Sequence, residues 1–286
     1  MKIAACAILY HPKEKDLENI LSYLPKVDKL YIYDNTENKK TKLSFENLDK
    51  IVYFSDLENK GLSFRLNQAC QQAICDGYDF LMTMDQDSSF RLENLNYYFE
   101  DIKNYPNKET VAVFGLEYFD SVKIANRYEI KSEEVSLLIT SASVLNLNLY
   151  TEIGGFDENL FIDGVDYDYC FAALKKGFKC VLFKNNSFIH TIGKKTKSAC
   201  IKTLYLIKKN KILHSPIRIY YIKRNMLYLE KKYHLLFPKY IRKMKQRYSS
   251  HILTNILYAD KPSVFLKYRR KAIADFKNNK MGKLEL

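Results

Sequence analysis

The chain has 286 residues, 47% of them apolar, enough for one large α/β domain or one domain with an appendage. No run approaches the ~18 apolar residues of a membrane-spanning helix, Met1-Lys2-Ile3-Ala4 lacks a signal-peptide pattern, and there is no internal repeat or low-complexity tract. The net charge of +13 is unevenly placed: residues 1–190 hold 21 Lys and Arg against 29 Asp and Glu, near −8, whereas residues 191–286 hold 25 against 4, near +21.

The first 190 residues alternate between strand and helix patterns. Ile3 to Tyr10 is a nearly continuous apolar run ended by His11-Pro12, which predicts a buried parallel strand. Leu17, Ile20, Leu21 and Leu24 fall at helical spacing. Lys29–Tyr33, closed by Asp34-Asn35, predicts a second strand, and Ile51–Phe54 a third. Leu62, Leu66, Ala69, Cys70 and Ala73 fit one helix face, with Gly77 as its stop. Phe80–Met84 is a strand that runs into Asp85-Gln86-Asp87. Val111–Gly115 is another, Val135–Leu145 is apolar with embedded Thr140, Ser141 and Ser143, and Cys180–Phe183 and Phe188–His190 are short apolar runs. The alternation predicts a parallel sheet with right-handed crossovers. Beyond 195 the texture changes to two or three basic, Tyr-rich amphipathic helices, broken near Pro216, Pro238 and Pro262.

Four polar groups stand at predicted strand ends or turns. Asp34-Asn35 either accepts the N3–H of a uracil or thymine ring or simply turns the chain. Asn59-Lys60-Gly61 precedes the helix that carries Asn67; Gly61 either lets a nucleotide approach the backbone or supplies a positive φ. Asp85 and Asp87 end a strand where open α/β sheets place their ligands. Two carboxylates there repel unless a cation lies between them, and a divalent ion on a diphosphate fits; a solvated turn capping the next helix is the plainer reading. The fourth group is Gly154-Gly155-Phe156-Asp157-Glu158, followed by Asp163, Asp166 and Asp168. The glycines predict a tight or left-handed turn, and Asp163 and Asp166 fall at the first turn of a helix. Acids there are favoured by the helix dipole, by ~0.3–1 kcal/mol, or one of them removes a proton from an acceptor hydroxyl.

Six cysteines show no C-x-x-C pair or zinc-like spacing, so a reduced, cytoplasmic chain with no metal on sulfur is expected. The basic tail calls for an anionic surface, membrane or nucleic acid. No zinc, helix-turn-helix or RNP-like pattern supports nucleic acid, so the membrane is the expected partner.

The order Asp34-Asn35, Asn59-x-Gly61, Asp85-Gln86-Asp87-Ser88, Gly154-Gly155-Phe156-Asp157-Glu158 and Asp163-x-x-Asp166 resembles glycosyltransferase family two, inverting enzymes of the GT-A fold, over about residues 1–195. Asp85-Gln86-Asp87-Ser88, Phe161-Ile162-Asp163-x-Val165-Asp166, His190-x-x-Gly193 and His214-Ser215-Pro216-x-Arg218-x-Tyr220-Tyr221-x-x-Arg224-Asn225 are similar to its rhamnosyltransferase-like branch. The resemblance implies an α/β fold of GT-A type, a Rossmann-like mixed sheet flanked by helices over residues 1–195, followed by a basic helical region over 196–286.

It also implies roles. Asp34 contacts the base, Asp85 lies near ribose or metal, Asp87 is a metal ligand, and Asp166 is the catalytic base. His190 meets the metal or diphosphate, or closes its strand on a backbone group. Asn59, Gly61, Arg65 and Asn67 go to the donor, Ser141, Asp163 and Asp168 to the acceptor side. The expected cofactor is Mg²⁺ or Mn²⁺. The expected partners are a dTDP- or UDP-linked sugar, a lipid-linked saccharide and an anionic membrane on whose inner face the protein sits peripherally.

Three residues depart from the family pattern: Arg65 replaces a small Ala, Ala142 a common Gly, and Ala172 a frequent Arg. They imply either a rebuilt pocket or an Arg65 that serves the diphosphate, and they put the donor in question more than the reaction. The alternatives are a UDP-hexose transferase of the same fold, a nucleic-acid-binding protein, and an adapter with a degenerate transferase fold.

Overall fold

The computed structural model describes residues 1–38, 49–119, 131–190, 195–199, 206 and 208–285; Gly193, Cys200 and Tyr205 lie outside these. The chain forms two compact units. The first comprises Met1–Glu158 and Val165–Thr191, the second Asn159–Gly164 and Ile192–Leu286.

Among the described residues, the first unit is built on a nine-stranded mixed sheet. Its parallel half contains β1 (Ile3–Leu9), β2 (Lys29–Asp34), β3 (Ile51–Ser55) and β4 (Phe80–Asp85), in the order β3-β2-β1-β4. The helices α1 (Glu14–Leu21) and α2 (Leu62–Cys75) lie in the crossovers. Ala4, Ala5, Cys6 and Ala7 of β1 are fully buried, as a central strand covered on both faces requires. β3 is the edge strand, and its alternate residues Val52 and Phe54 are exposed.

Beyond β4 the sheet is not purely parallel. β8 (Ser143–Asn146) runs antiparallel to both β4 and β6 (Val111–Phe119). β9 (Lys179–His190) lies parallel to β6, while the two-residue β5 (Ser88–Ser89) and β7 (Ser132–Val135) pair with it antiparallel. The apolar stretch from Val135 to Leu145 is therefore not one strand: β7 ends where it begins, and residues 136–142 are a loop.

Two helices escape the sequence reading. α3 (Leu92–Asn104) buries Leu95, Tyr98 and Ile102 at helical spacing, among Asn and Tyr residues that mask the pattern. α4 (Leu147–Ile153) is only two turns long; the Asn146 side chain caps it and Gly154, at φ +100°, ends it.

In the second unit, Lys195–Ser198 (β10) and Lys209–Ile212 (β11) pair as an antiparallel ladder that the all-helical reading of the tail missed. Three helices follow: α6 (Pro216–Tyr233), α7 (Pro238–Tyr258) and α8 (Pro262–Lys277). Each of the three prolines sits in the first turn, where a missing N–H costs nothing, so they start helices rather than break them. Ile219 and Ile222 pack with Ile252, and Tyr220 and Tyr221 with Ala272, Phe161 and Ile162.

Candidate active site

Parallel pairing aligns the carboxyl ends of three strands. Leu9 of β1 faces Asp34 of β2, and Ile8 faces Asp85 of β4. After Asp85 the chain turns through Gln86-Asp87 into β5, where Ser88 pairs with His190 at the end of β9. That pairing gathers Asp85, Asp87 and His190, which offer ligand atoms within 4.8 Å of one another. Gln86 goes the other way. Its Oε1 accepts from Tyr10 N at 2.8 Å and its carbonyl accepts from the Asn19 side chain at 2.9 Å. The middle residue of Asp-x-Asp is thus the anchor that holds both carboxylates on one side.

Behind the cluster runs a polar chain. The Asp85 backbone N–H donates to Ser141 Oγ (3.2 Å), Ser141 Oγ donates to Ser88 Oγ (2.7 Å), and Ser88 Oγ shares a hydrogen bond with His190 Nδ1 (2.7 Å). Ser88 and Ser141 are buried, at 0% and 2% exposure. The His190 ring nitrogen is also 3.6 Å from Asp87 Oδ1, and Tyr118 meets its ring edge-on. Two carboxylates and an imidazole fit a divalent ion such as Mn²⁺, and outer partners of this kind fix ligand orientation. Ser141, expected on the acceptor side, is instead a buried support beneath this cluster.

The loop carrying Ser141 is tied to two elements. Thr83 Oγ1 donates to the Thr140 and Ser143 carbonyls, and Cys170 Sγ of α5 (Val165–Lys175) meets the backbone of Leu138. Ala142 takes φ +55°, the left-handed region that costs a residue with a Cβ about 1 kcal/mol, which explains why glycine is common there. Nothing in the structure explains Ala172.

The donor-side residues divide. Asp34 is fully buried; its oxygens accept from Thr36 N and Tyr53 OH, both at 2.8 Å, so it shapes the turn after β2. Asn59 Oδ1 accepts from Gly61 N, and Gly61 at φ +85° precedes the first turn of α2. Arg65 is fully buried. It donates to Asn35 Oδ1 and Gln68 Oε1 at 2.8 Å, to the Glu58 carbonyl at 2.9 Å and to Asp56, and lies over the rings of Phe54 and Phe64. Burial alone would raise the Asp56 carboxyl, but hydrogen bonds from Arg65 and Lys60 hold it at about 2. Arg65 therefore does not offer its guanidinium to a diphosphate. It clamps the loop after β2 to the loop after β3.

Asn67 is likewise engaged inside the protein. Its Oδ1 accepts from Tyr150 OH (2.6 Å) and Phe156 N (2.8 Å), and its Nδ2 donates to the Phe156 carbonyl (2.9 Å) and Glu158 Oε1 (2.8 Å). It fixes the Gly154-Gly155 turn rather than a donor. A Cβ on Gly155, at φ +72°, would stand 2.8 Å from Tyr150 Oη and 3.2 Å from Asn67 Oδ1. Asn67→Ala is expected to destabilise the fold by about 2–3 kcal/mol in urea unfolding, because it strips partners from a buried tyrosine hydroxyl and the Phe156 backbone.

Asp166 sits in the first turn of α5, where its Oδ1 accepts from Tyr167 N at 3.0 Å. Asp168 is 2% exposed, inside the unit rather than on an open acceptor face. Asp163 does not join them in that helical turn. It belongs to the second unit, at φ +63°, and Arg218 holds both its carboxylate oxygens at 3.0–3.3 Å. Asn225 donates to the Ile162 and Asp163 carbonyls at 2.7 and 2.8 Å. Arg224 stacks on Tyr220 and Tyr221 and donates to the Gly282 carbonyl. The His214-to-Asn225 motif is thus a cradle for residues 161–164 and 280–284. Burial, Arg218 and His251 push His214 down to about 4, so it is neutral at pH 7.

Two solved structures share the architecture. GalNAc-T7, crystallised with UDP, GalNAc and Mn²⁺, superposes with a TM-score of 0.60 at 10% identity, covering 97% of this chain and 56% of that one. S. aureus TarS gives 0.53 at 13% identity, covering 96% and 54%. The chain therefore spans about half the length of either, and the likeness concerns the fold. The fold is thus of the GT-A type, with the cluster of two carboxylates and an imidazole at the carboxyl edge of its sheet. Among curated proteins the chain is similar to the dTDP-rhamnosyl transferase RfbF of Shigella flexneri, 26% identical over 251 residues, which are 82% of this chain and 81% of that protein. No protein-family model matches the chain.

Proposed function

We propose that the protein transfers a deoxyhexose, rhamnose, from a dTDP-linked donor to a hydroxyl of a lipid-linked saccharide in surface polysaccharide synthesis, with inversion at the sugar carbon. The observation that carries this reading is the gathering of Asp85, Asp87 and His190 at the carboxyl edge of the sheet in a chain similar to a dTDP-rhamnosyl transferase. These three residues would hold Mg²⁺ or Mn²⁺, whose charge stabilises a departing diphosphate. The nucleoside is assigned to the neighbouring strand ends, where the turns Asp34–Thr36 and Asn59–Gly61 are clamped together by Arg65 and Asn35. Asp166 is assigned the proton of the acceptor hydroxyl. Inversion follows when that oxygen attacks the sugar carbon opposite the leaving diphosphate.

The basic second unit supports peripheral attachment to the anionic inner face of the cell membrane, where a lipid-linked acceptor is found. Among the described residues no helix is long and apolar enough to cross a membrane.

A thermal-shift panel tests the donor. dTDP with Mn²⁺ at 100 times its dissociation constant is expected to stabilise the protein by ~2.7 kcal/mol, and UDP at the same concentration by less. Preference for UDP would favour the UDP-hexose reading, which the UDP complex of the similarly folded GalNAc-T7 makes the second choice. No shift with any nucleoside diphosphate and metal would overturn the enzymatic assignment.

A further inference from the structure

The turn between α6 and α7, residues 234–237, has an unusual surface. Leu235 is 82% exposed and Leu236 51%, and Tyr240, one turn further on, is 46% exposed. A solvated Leu-Leu pair is costly unless something covers it. The turn is held by its backbone: Leu236 N and Phe237 N both bond the Tyr233 carbonyl, at 3.1 and 2.9 Å, and Ile241 N bonds that of Phe237. Tyr233 is buried and packs near Phe237, so the aromatic residues face inward and the two leucines outward.

Flanking the leucines in sequence, on the end of α6 and the start of α7, are the exposed cations Lys231, Lys239, Arg242 and Lys243, and Lys232, whose ammonium lies over the Tyr228 and Tyr233 rings. Between Asp168 and Asp260 the sequence has a single acid, Glu230, and Lys245 engages it at 2.5 Å. An apolar tip flanked by cations matches one occupant by charge and by polarity: a bilayer with anionic headgroups, into whose upper acyl region two leucines fit while lysines meet phosphates. A nucleic acid would answer the cations and leave the leucines in water.

We propose that the α6–α7 turn is a membrane wedge, with Leu235 and Leu236 inserted below the headgroups of an anionic leaflet. The inference rests on the membrane reading above and adds the site of contact. It goes beyond diffuse attraction by the tail, because charge alone requires no insertion.

The chain contains no tryptophan, so Leu235→Trp introduces a single reporter. On vesicles of phosphatidylcholine with phosphatidylglycerol, its emission should shift to the blue and be quenched by lipids brominated on the acyl chains. The double variant Leu235→Ser/Leu236→Ser, whose sites are solvated, should keep its circular dichroism and melting temperature yet bind these vesicles at least about tenfold more weakly. Wild-type binding with unchanged Trp emission and an unaffected double variant would overturn the wedge and leave an electrostatic anchor. A wild type that sediments with neither anionic nor neutral vesicles would overturn wedge and membrane reading together. So would one that retains duplex DNA but not vesicles.

Discussion

Asp166→Asn is expected to lower turnover by roughly 10²-fold or more while nucleotide binding stays near its wild-type strength. Asparagine keeps the shape of aspartate and accepts the Tyr167 N–H that Asp166 accepts now, so α5 should begin as before. It cannot take a proton. Single-turnover kinetics beside a nucleotide titration separate the two effects. Asp163→Asn is the informative contrast. Asp163 is held by Arg218 and lies in the second unit, so its loss should lower the melting temperature and leave the chemical step. If the outcomes are exchanged, Asp163 is the base and the assignment to Asp166 fails.

Asp87→Ala should abolish divalent-metal binding along with donor transfer. Asp87 is the most solvent-facing member of the cluster, its side chain 47% exposed against 18% for His190. It also has no backbone strand to hold it, since it lies in the turn between β4 and β5. Removing it leaves one carboxylate and one imidazole, too few for tight Mg²⁺ or Mn²⁺. Ser141→Ala acts one bond further out, on the chain that orients Ser88 and His190, and should weaken the metal by roughly 10–100-fold. Mn²⁺ titration followed by electron paramagnetic resonance reads both without an activity assay. Equal Mn²⁺ affinity in wild type and Asp87→Ala, or full transfer in excess EDTA, would contradict the assignment.

Much of the sheet was legible because its parallel strands are buried on both faces, so β1, β2 and β4 are continuous apolar runs ending in polar residues. The mixed half was harder. β5 has two residues and no periodicity to show, and β8 is cut from an apolar stretch whose first part is loop. At the site, Asp85 and Asp87 were visible as acids at a strand end. His190 was named beside them only through the family resemblance, because its closeness depends on a ladder between residues 102 positions apart, which no local spacing reports. Arg65, Asn67 and Ser141 show the opposite limit. Each is a polar residue in a motif, which sequence reads as ligand contact. Each proves to have its hydrogen bonds satisfied inside the protein, and burial of that kind is set by tertiary packing that no local spacing reports.

The passage of Asn159–Gly164 into the second unit sets an order of assembly. Those six residues are synthesised in the middle of the first unit, yet the groups that complete them arrive late. Asn225 supplies the bonds to Ile162 and Asp163, Tyr221 stacks on Phe161, and the Asn159 carbonyl waits for the Gly282 N–H. A nascent chain released only as far as α5 and β9 therefore carries Phe161 and Ile162 without their cover, directly before the helix of Asp166. Domains generally fold as units while the chain emerges. Here residues 159–164 wait for α6 and for the stretch around Gly282, so a segment made in the middle of the chain completes its packing only when the chain's far end has been made.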